Sequence, residues 1–369
     1  MKMRAAILEQ WNTPLVVEEV ELDDPKDKEV LVKLVATAVC HSDLHCIKGD
    51  LATQPPVVLG HEGAGIVEKV GKNVTDVQPG DRVVVTVAPY CGKCPACMIG
   101  VPTSCETDPH TAALMGTMAD GTKRLKRKNG DELSHFMAQA SFAEYAVVEE
   151  SATVKVRNDA PLDVVCLLGC GASTGIGAVI NKARVKAGSS VAVFGCGGVG
   201  LATIMAAKLV GAHPIVAVDM LDSKLEMAGE LGATNLVNAS RDDPVTKIAA
   251  ECGGGVDYSF EAIGNPAAMT QAFHSVYSRP GGMAVVLGLA PIGTTFSIEA
   301  WRFMKEVTIT GCVMGSVRPK IDIPRYVDLF MAGKLPLDKL VSAHYSLDRI
   351  NDAIKDTLEG KVLRGIITF

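Results

Sequence analysis

At 369 residues, 48% of them apolar and 21% charged, the chain is too long for one ordinary compact domain, fits two, and can bury sizeable cores, which excludes a disordered protein. A net charge of −6 gives no large basic field and excludes nucleic acid or an anionic membrane as the main partner. No window reaches the roughly 18 uninterrupted apolar residues of a membrane helix, and the start Met1-Lys2-Met3-Arg4 does not lead into a signal-peptide core, so a cytoplasmic protein is expected, whose 11 cysteines point to metal ligands or catalytic groups more than to disulfides.

Residues 1 to about 150 read as short valine-rich strands, at 29–35, 65–70 and 82–87, bounded by turn formers such as Pro79-Gly80-Asp81. Residues 107–139 read as an insertion loop with one or two hairpins, its Lys/Arg run at 123–128 forming a solvated face. From about 172 the rhythm changes. A strand at 190–194, a helix at 199–209, a strand at 215–219, a helix at 221–231 and strands at 256–260 and 282–287 imply an α/β fold with a doubly wound parallel sheet covered on both faces. Past about 320 the pattern is mixed again and ends in a strand at 364–369. No internal repeat or low-complexity tract interrupts it.

Three constellations carry chemistry. Cys91, Cys94 and Cys97, followed by Cys105, supply four thiolates close enough in sequence to close around one tetrahedral zinc, and their spacings do not fit ferredoxin clusters. With no open coordination position, such an ion staples a loop. A second set is dispersed: Cys40-His41-Ser42-Asp43 with His45, then Gly60-His61-Glu62, then Gly169-Cys170-Gly171. Cys40, His61 and Cys170 form a Cys₂His set that leaves a fourth place for water or substrate, with Asp43 and Glu62 as carboxylates beside ligands. Spacing does not bring these three together; the fold must. The third is Gly195-Cys196-Gly197-Gly198-Val199-Gly200 between a strand and a helix, a turn suited to a pyrophosphate at a helix N-terminus. Asp219 closes the next strand where a carboxylate would bond adenosine ribose hydroxyls, and no arginine follows to neutralise a 2′-phosphate, which favours NAD over NADP.

With these residues in view, the chain resembles the zinc-containing medium-chain alcohol dehydrogenases over essentially its whole length. The signature Gly60-His61-Glu62-Gly63-Ala64-Gly65, the four-cysteine lobe, Gly169-Cys170-Gly171 and the glycine turn follow in that family's order. The insertion leading into Ser141-Phe142-Ala143-Glu144-Tyr145 is similar to the longer, dimeric subgroup of liver-type, thiol-adduct formaldehyde and aryl-alcohol dehydrogenases.

The resemblance implies a strand-rich, GroES-like catalytic domain over 1–171, a Rossmann coenzyme domain over 172–318, and a return to the catalytic domain over 319–369. It implies two zinc ions per chain. Cys40, His61 and Cys170 would hold the catalytic ion with Glu62 nearby, and Cys91, Cys94, Cys97 and Cys105 the structural one. Ser42 would take the substrate hydroxyl proton and His45 would pass it on through the nicotinamide ribose. His41 and Arg364 would meet coenzyme phosphate, Asp219 and Lys224 the adenosine ribose, and Thr174 and Val199 the nicotinamide ring. The expected reaction is reversible hydride transfer between a primary alcohol, aliphatic or aromatic, and NAD by a homodimer, with a tetramer as the alternative assembly. A thiol-adduct formaldehyde dehydrogenase is the alternative, weakened by the absence of arginine in Cys105-Glu106-Thr107-Asp108-Pro109; a non-catalytic, zinc-stabilised dinucleotide-binding protein is a third reading. Cys46, Cys166, Cys196, Cys252 and Cys312 are left as buried or incidental thiols.

Overall fold

Valine-rich strands and tight turns build the first of two units into which the chain divides in this computed structural model, which describes residues 1–369 apart from the side chains of 108–110. That unit comprises Met1–Cys170, Val317–Gly333 and Leu337–Phe369, and the second comprises Gly171–Ser316 with Lys334–Pro336. Of the stretch 105–109, the side chains of Asp108 and Pro109 therefore lie outside the described residues.

With strands numbered along the chain, the first unit contains a closed barrel of β1 (Lys2–Leu8), β2 (Val16–Leu22), β7 (Leu125–Lys126), β8 (Glu132–His135) and β4 (Val57–Val58). A larger sheet runs β10 (Thr153–Lys155), β6 (Arg82–Val85), β5 (Gly63–Val70), β3 (Glu29–Ala38), β18 (Arg364–Thr368), β17 (Val341–Ser346), with β9 (Tyr145–Glu149) also paired to β3. Register is what positions the site. Thr37 pairs with Gly63 and Ala38 with Ile366, so the chain leaving β3, the chain entering β5 and the start of β18 meet at one end of the sheet. Cys40, His61-Glu62 and Arg364 lie on those three segments.

The insertion forms a helix, Asp108–Met115, and the β7–β8 hairpin. Within its basic run, Arg124 departs from the expectation of a solvated face, while Lys123, Lys126 and Arg127 are half-buried and Lys128 is exposed. Arg124 is only 1% exposed and donates through Nε to Glu29 at 2.9 Å and through Nη2 to Asp120 at 3.0 Å. Arg127 pairs with Glu18 and Glu9. The carboxylates of Glu29 and Asp120 offset the cost of burying the Arg124 charge.

The second unit is a six-stranded parallel sheet in the order β13 (Asn235–Asn238), β12 (Ile215–Asp219), β11 (Val191–Phe194), β14 (Tyr258–Glu261), β15 (Met283–Val286), β16 (Thr308–Gly311). Every residue of β11 is buried, as in a strand covered on both faces, so its apolar run is continuous instead of alternating. The order reverses between β11 and β14, the place where doubly wound sheets bind ligands. The edge strands β13 and β16 mix polar with apolar residues and do not stand out in the sequence. Among the described residues no single helix is long and apolar enough to cross a membrane.

Candidate metal centres and coenzyme turn

Cys40 ends the run from β3 and caps the helix His41–Lys48. Three residues into that helix, the fully buried Asp43 accepts the Cys40 N–H at 3.0 Å, the Gly60 N–H at 3.0 Å and the His61 Nδ1 hydrogen at 3.0 Å. One carboxylate thus ties two distant segments together and fixes which nitrogen of His61 carries the proton. The other nitrogen, Nε2, is buried and has no hydrogen-bond partner among the described residues.

Cys170 follows the short turn Cys166–Gly169. One ligand atom from each of Cys40, His61, Glu62 and Cys170 lies within 4.8 Å of the others. Protonation of this group is mutual. A hydrogen bond with Cys170 holds Cys40 well below the usual thiol range against the effect of burial, and the same bond, aided by burial, pushes Cys170 well above it. Burial opposes charge on His61, but Asp43 and Cys40 together raise it. The carboxylate of Glu62 forms a buried ion pair with Arg364. Burial works against the arginine's charge, and Glu62 followed by Cys40 keeps it protonated. Within its own unit, then, Arg364 faces a carboxylate.

Ser42 is half-buried, its Oγ 3.9 Å from the Cys40 sulfur. His45 lies one turn along the same helix, and its Nδ1 is 2.8 Å from Asp50 Oδ2. His41 is exposed at the first helical position. Asp50 carried no sequence signal of its own. What aims it is the helix stop, where Gly49 takes φ +83° and the Asp50 N–H returns to the His45 carbonyl at 2.9 Å.

The four-cysteine lobe is built by one loop. Ligand atoms of Cys91, Cys94, Cys97 and Cys105 fall within 4.8 Å of one another. Backbone N–H groups of Lys93 and Cys94 point at the Cys91 sulfur at 3.4 and 3.3 Å, and that of Cys91 points at the Cys105 sulfur at 3.4 Å. A hydrogen bond to Thr107, followed by the N–H groups of Lys93 and Cys94, holds the Cys91 thiol below its usual range and favours thiolate, the form a metal binds.

In the second unit Gly195 takes φ +92° at the end of β11, and a Cβ on Gly200 would lie 1.7 Å from the Gly195 carbonyl oxygen, so only glycine allows helix Gly198–Leu209 to start so close to the strand. Gly197 caps that helix and faces open space, with nothing within 4 Å of where its Cβ would be. Val199 is half-buried in the first helical turn, Thr174 is buried in helix Gly171–Gly177, and Lys224 is half-buried on helix Asp222–Leu231. Asp219 at the end of β12 accepts from the Cys196 N–H at 2.8 Å and from the Met220 and Leu221 N–H groups at 2.8 and 3.1 Å. Its carboxylate braces the glycine turn, a role the sequence does not reveal. Glu261 escaped sequence reasoning entirely. Fully buried at the end of β14, it accepts the N–H groups of Ile263, Gly264 and Asn265 at 2.9, 2.7 and 3.3 Å and so shapes the loop beside the turn.

Residues 26–158 match the alcohol dehydrogenase GroES-like domain family, and residues 198–332 match the zinc-binding dehydrogenase family. Over the full length of both proteins the chain is 38% identical to an alcohol dehydrogenase class-3 of Cereibacter sphaeroides. Two solved structures are similar throughout. One, an alcohol dehydrogenase zinc-binding domain protein from Burkholderia ambifaria, is 39% identical with a TM-score of 0.96, covering 100% of this chain and 99% of that one. The other, benzyl alcohol dehydrogenase from Acinetobacter calcoaceticus, is 38% identical with a TM-score of 0.95 and the same coverage.

Proposed function

Since the chain belongs to the zinc-binding medium-chain alcohol dehydrogenases with a GroES-like domain, and is therefore an oxidoreductase, we propose that it transfers hydride reversibly between a primary alcohol, aliphatic or aromatic, and NAD, with two zinc ions per chain. The observation that carries this reading is the convergence of Cys40, His61 and Cys170 beside Glu62, with His61 Nε2 buried and lacking a hydrogen bond among the described residues. A buried imidazole nitrogen that faces two thiols fits a zinc ligand, and Asp43 on the opposite nitrogen is the support such a ligand needs. Cys91, Cys94, Cys97 and Cys105 fit a closed structural zinc. The open face of Gly197 at a helix N-terminus fits a pyrophosphate.

When bound, zinc supplies a Lewis acid that acidifies an alcohol oxygen, and NAD supplies the hydride acceptor. The protein's own groups do the rest. Ser42 takes the hydroxyl proton and His45, on the same helix, carries it outward. Asp50 occupies Nδ1 of His45, which leaves Nε2 for the relay. Asp219 holds the adenosine ribose with Lys224 and disfavours a 2′-phosphate, while Thr174 and Val199 bound the nicotinamide. Similarity to a benzyl alcohol dehydrogenase supports an aromatic substrate among those accepted.

The assembly we propose is a homodimer. Among the described residues β16 pairs only with β15, and Trp301 (68% exposed), Met304 and Val313 lie exposed next to that strand in sequence. An open strand edge flanked by apolar side chains suits a second copy of itself.

Assays with benzyl alcohol, ethanol and S-hydroxymethylglutathione, each with NAD and NADP, together with a zinc count, test the reading. Turnover of a simple primary alcohol with NAD and two zinc ions per chain is expected. Preference for the glutathione adduct would move the assignment to formaldehyde oxidation. One zinc and no turnover would reduce the protein to a dinucleotide binder.

A further inference from the structure

The segment between β8 and β9 has no part in the reaction as proposed, yet it wraps the corner that holds His61 and Glu62. Three of its non-glycine residues, Met137, Ala138 and Ala140, have left-handed backbone angles with φ of 52°, 52° and 55°. Side-chain-bearing residues adopt that region when their surroundings impose it. Among them Gln139, 1% exposed, turns inward. Its Nε2 donates to the His61 carbonyl at 2.9 Å, and its Oε1 accepts the Gly63 N–H at 3.0 Å. The two bonds grip the peptide groups on either side of Glu62.

Neighbouring contacts reinforce the grip. The Ser141 N–H donates to the Gly60 carbonyl at 3.0 Å and the Phe142 N–H to the Leu59 carbonyl at 2.9 Å. The Phe136 ring stands edge-on to the His61 imidazole, with centroids 5.3 Å apart and planes at 78°. Where this strand-like pairing runs out, at His61, a side-chain amide continues it. Gln offers a donor and an acceptor in the spacing of a peptide group, which neither an acid nor a thioether provides.

We propose that Gln139 is a positioning residue for the catalytic metal: it fixes the His61 backbone from one side while Asp43 fixes the imidazole from the other, so that Nε2 stays aimed at the shared ion. This rests on the proposed function, in which that ion is zinc.

Gln139→Met keeps most of the side-chain volume and removes both hydrogen bonds, whereas Gln139→Glu keeps the acceptor toward Gly63. The measurement is the rate at which a chelator strips metal from each site of the intact protein, followed by zinc release and by the absorption of cobalt-substituted enzyme, which differs between two-thiolate and four-thiolate sets. Gln139→Met should lose metal from the Cys40 set about 10- to 100-fold faster than wild type, with release from the Cys91 lobe unchanged and Gln139→Glu between the two. Equal release from the Cys40 set in wild type and Gln139→Met overturns the proposal, as does acceleration at both sites by one factor, which would mean general loosening. Should Gln139→Met fail to fold, the same comparison is made on Gln139→Glu, with the same outcomes deciding. Failure of the functional reading looks different: wild-type protein would then hold no metal at the Cys40 set, which removes clamp and function together.

Discussion

The two donor groups of the first unit reach the same geometry by opposite routes. Cys91, Cys94, Cys97 and Cys105 come from a single loop, and the N–H groups that face their sulfurs belong to that loop as well. Cys40, His61 and Cys170 come from three segments: the register of β3 and β5 and the carboxylate of Asp43 join the first two, and the Val87 N–H, donating to the Gly169 carbonyl at 3.3 Å, ties in the third. In the first case an ion would organise the chain; in the second the folded chain organises the site. A lobe of four thiolates leaves an ion no open position, whereas a set with three strong donors does. Loss of metal should therefore cost stability at one site and chemistry at the other.

The largest effect expected is that of Cys170→Ser, which should lower kcat/KM by about 1,000-fold or more, the several kcal/mol that a Lewis acid contributes. The thermal midpoint should move little, and metal analysis should find one zinc retained. Cys97→Ser should do the reverse, destabilising the protein by on the order of 4 kcal/mol while molecules that remain folded turn over normally. A drop in midpoint at Cys170 with chemistry intact would exchange the two assignments. Asp43→Asn is a finer probe. It places an amide where three donors point, so affinity for metal at the Cys40 set should fall about 10- to 100-fold, with the Cys91 lobe untouched. Equal weakening of both sites in a metal titration would show that the two are not independent.

The same contrast explains what the sequence disclosed. A loop of four cysteines and a glycine turn are local patterns whose spacing is their geometry, and the alternation of strands and helices from Val191 to Val286 follows from burial of β11 and its neighbours on both faces. The closed barrel is less legible because β4 and β7 are two residues long: β4 pairs only with strands far along the chain, and β7, though in a hairpin with β8, joins the barrel through the distant β2. Arg124 misleads for a related reason: five basic residues in six suggest solvent, and only the fold brings the buried Glu29, distant in sequence, against it. Gln139 is invisible because only tertiary contacts bring the peptide groups around Glu62 within its reach. Asp50 and Glu261 act on near neighbours in sequence, but as ordinary polar residues whose roles depend on how the chain turns beside them.

Asp219 lies between these extremes, legible in position but not in its full duty. If it were only a charge facing ribose, Asp219→Asn would relax the preference for NAD over NADP and leave the NAD complex nearly intact. Its two oxygens, however, also accept N–H groups from both sides, one from Cys196 in the glycine turn and the others from Met220 and Leu221. An amide has one acceptor oxygen and cannot serve both sides. Asp219→Asn should therefore narrow the NAD-to-NADP ratio of kcat/KM by about tenfold, equivalent to about 1.4 kcal/mol, and also weaken NADH binding and lower stability by about 1 kcal/mol for the lost hydrogen bond. Fluorescence titration with NADH and a denaturation curve separate the two effects. An altered ratio with binding and stability unchanged would restrict Asp219 to electrostatics, and an unaltered ratio would remove it from coenzyme selection.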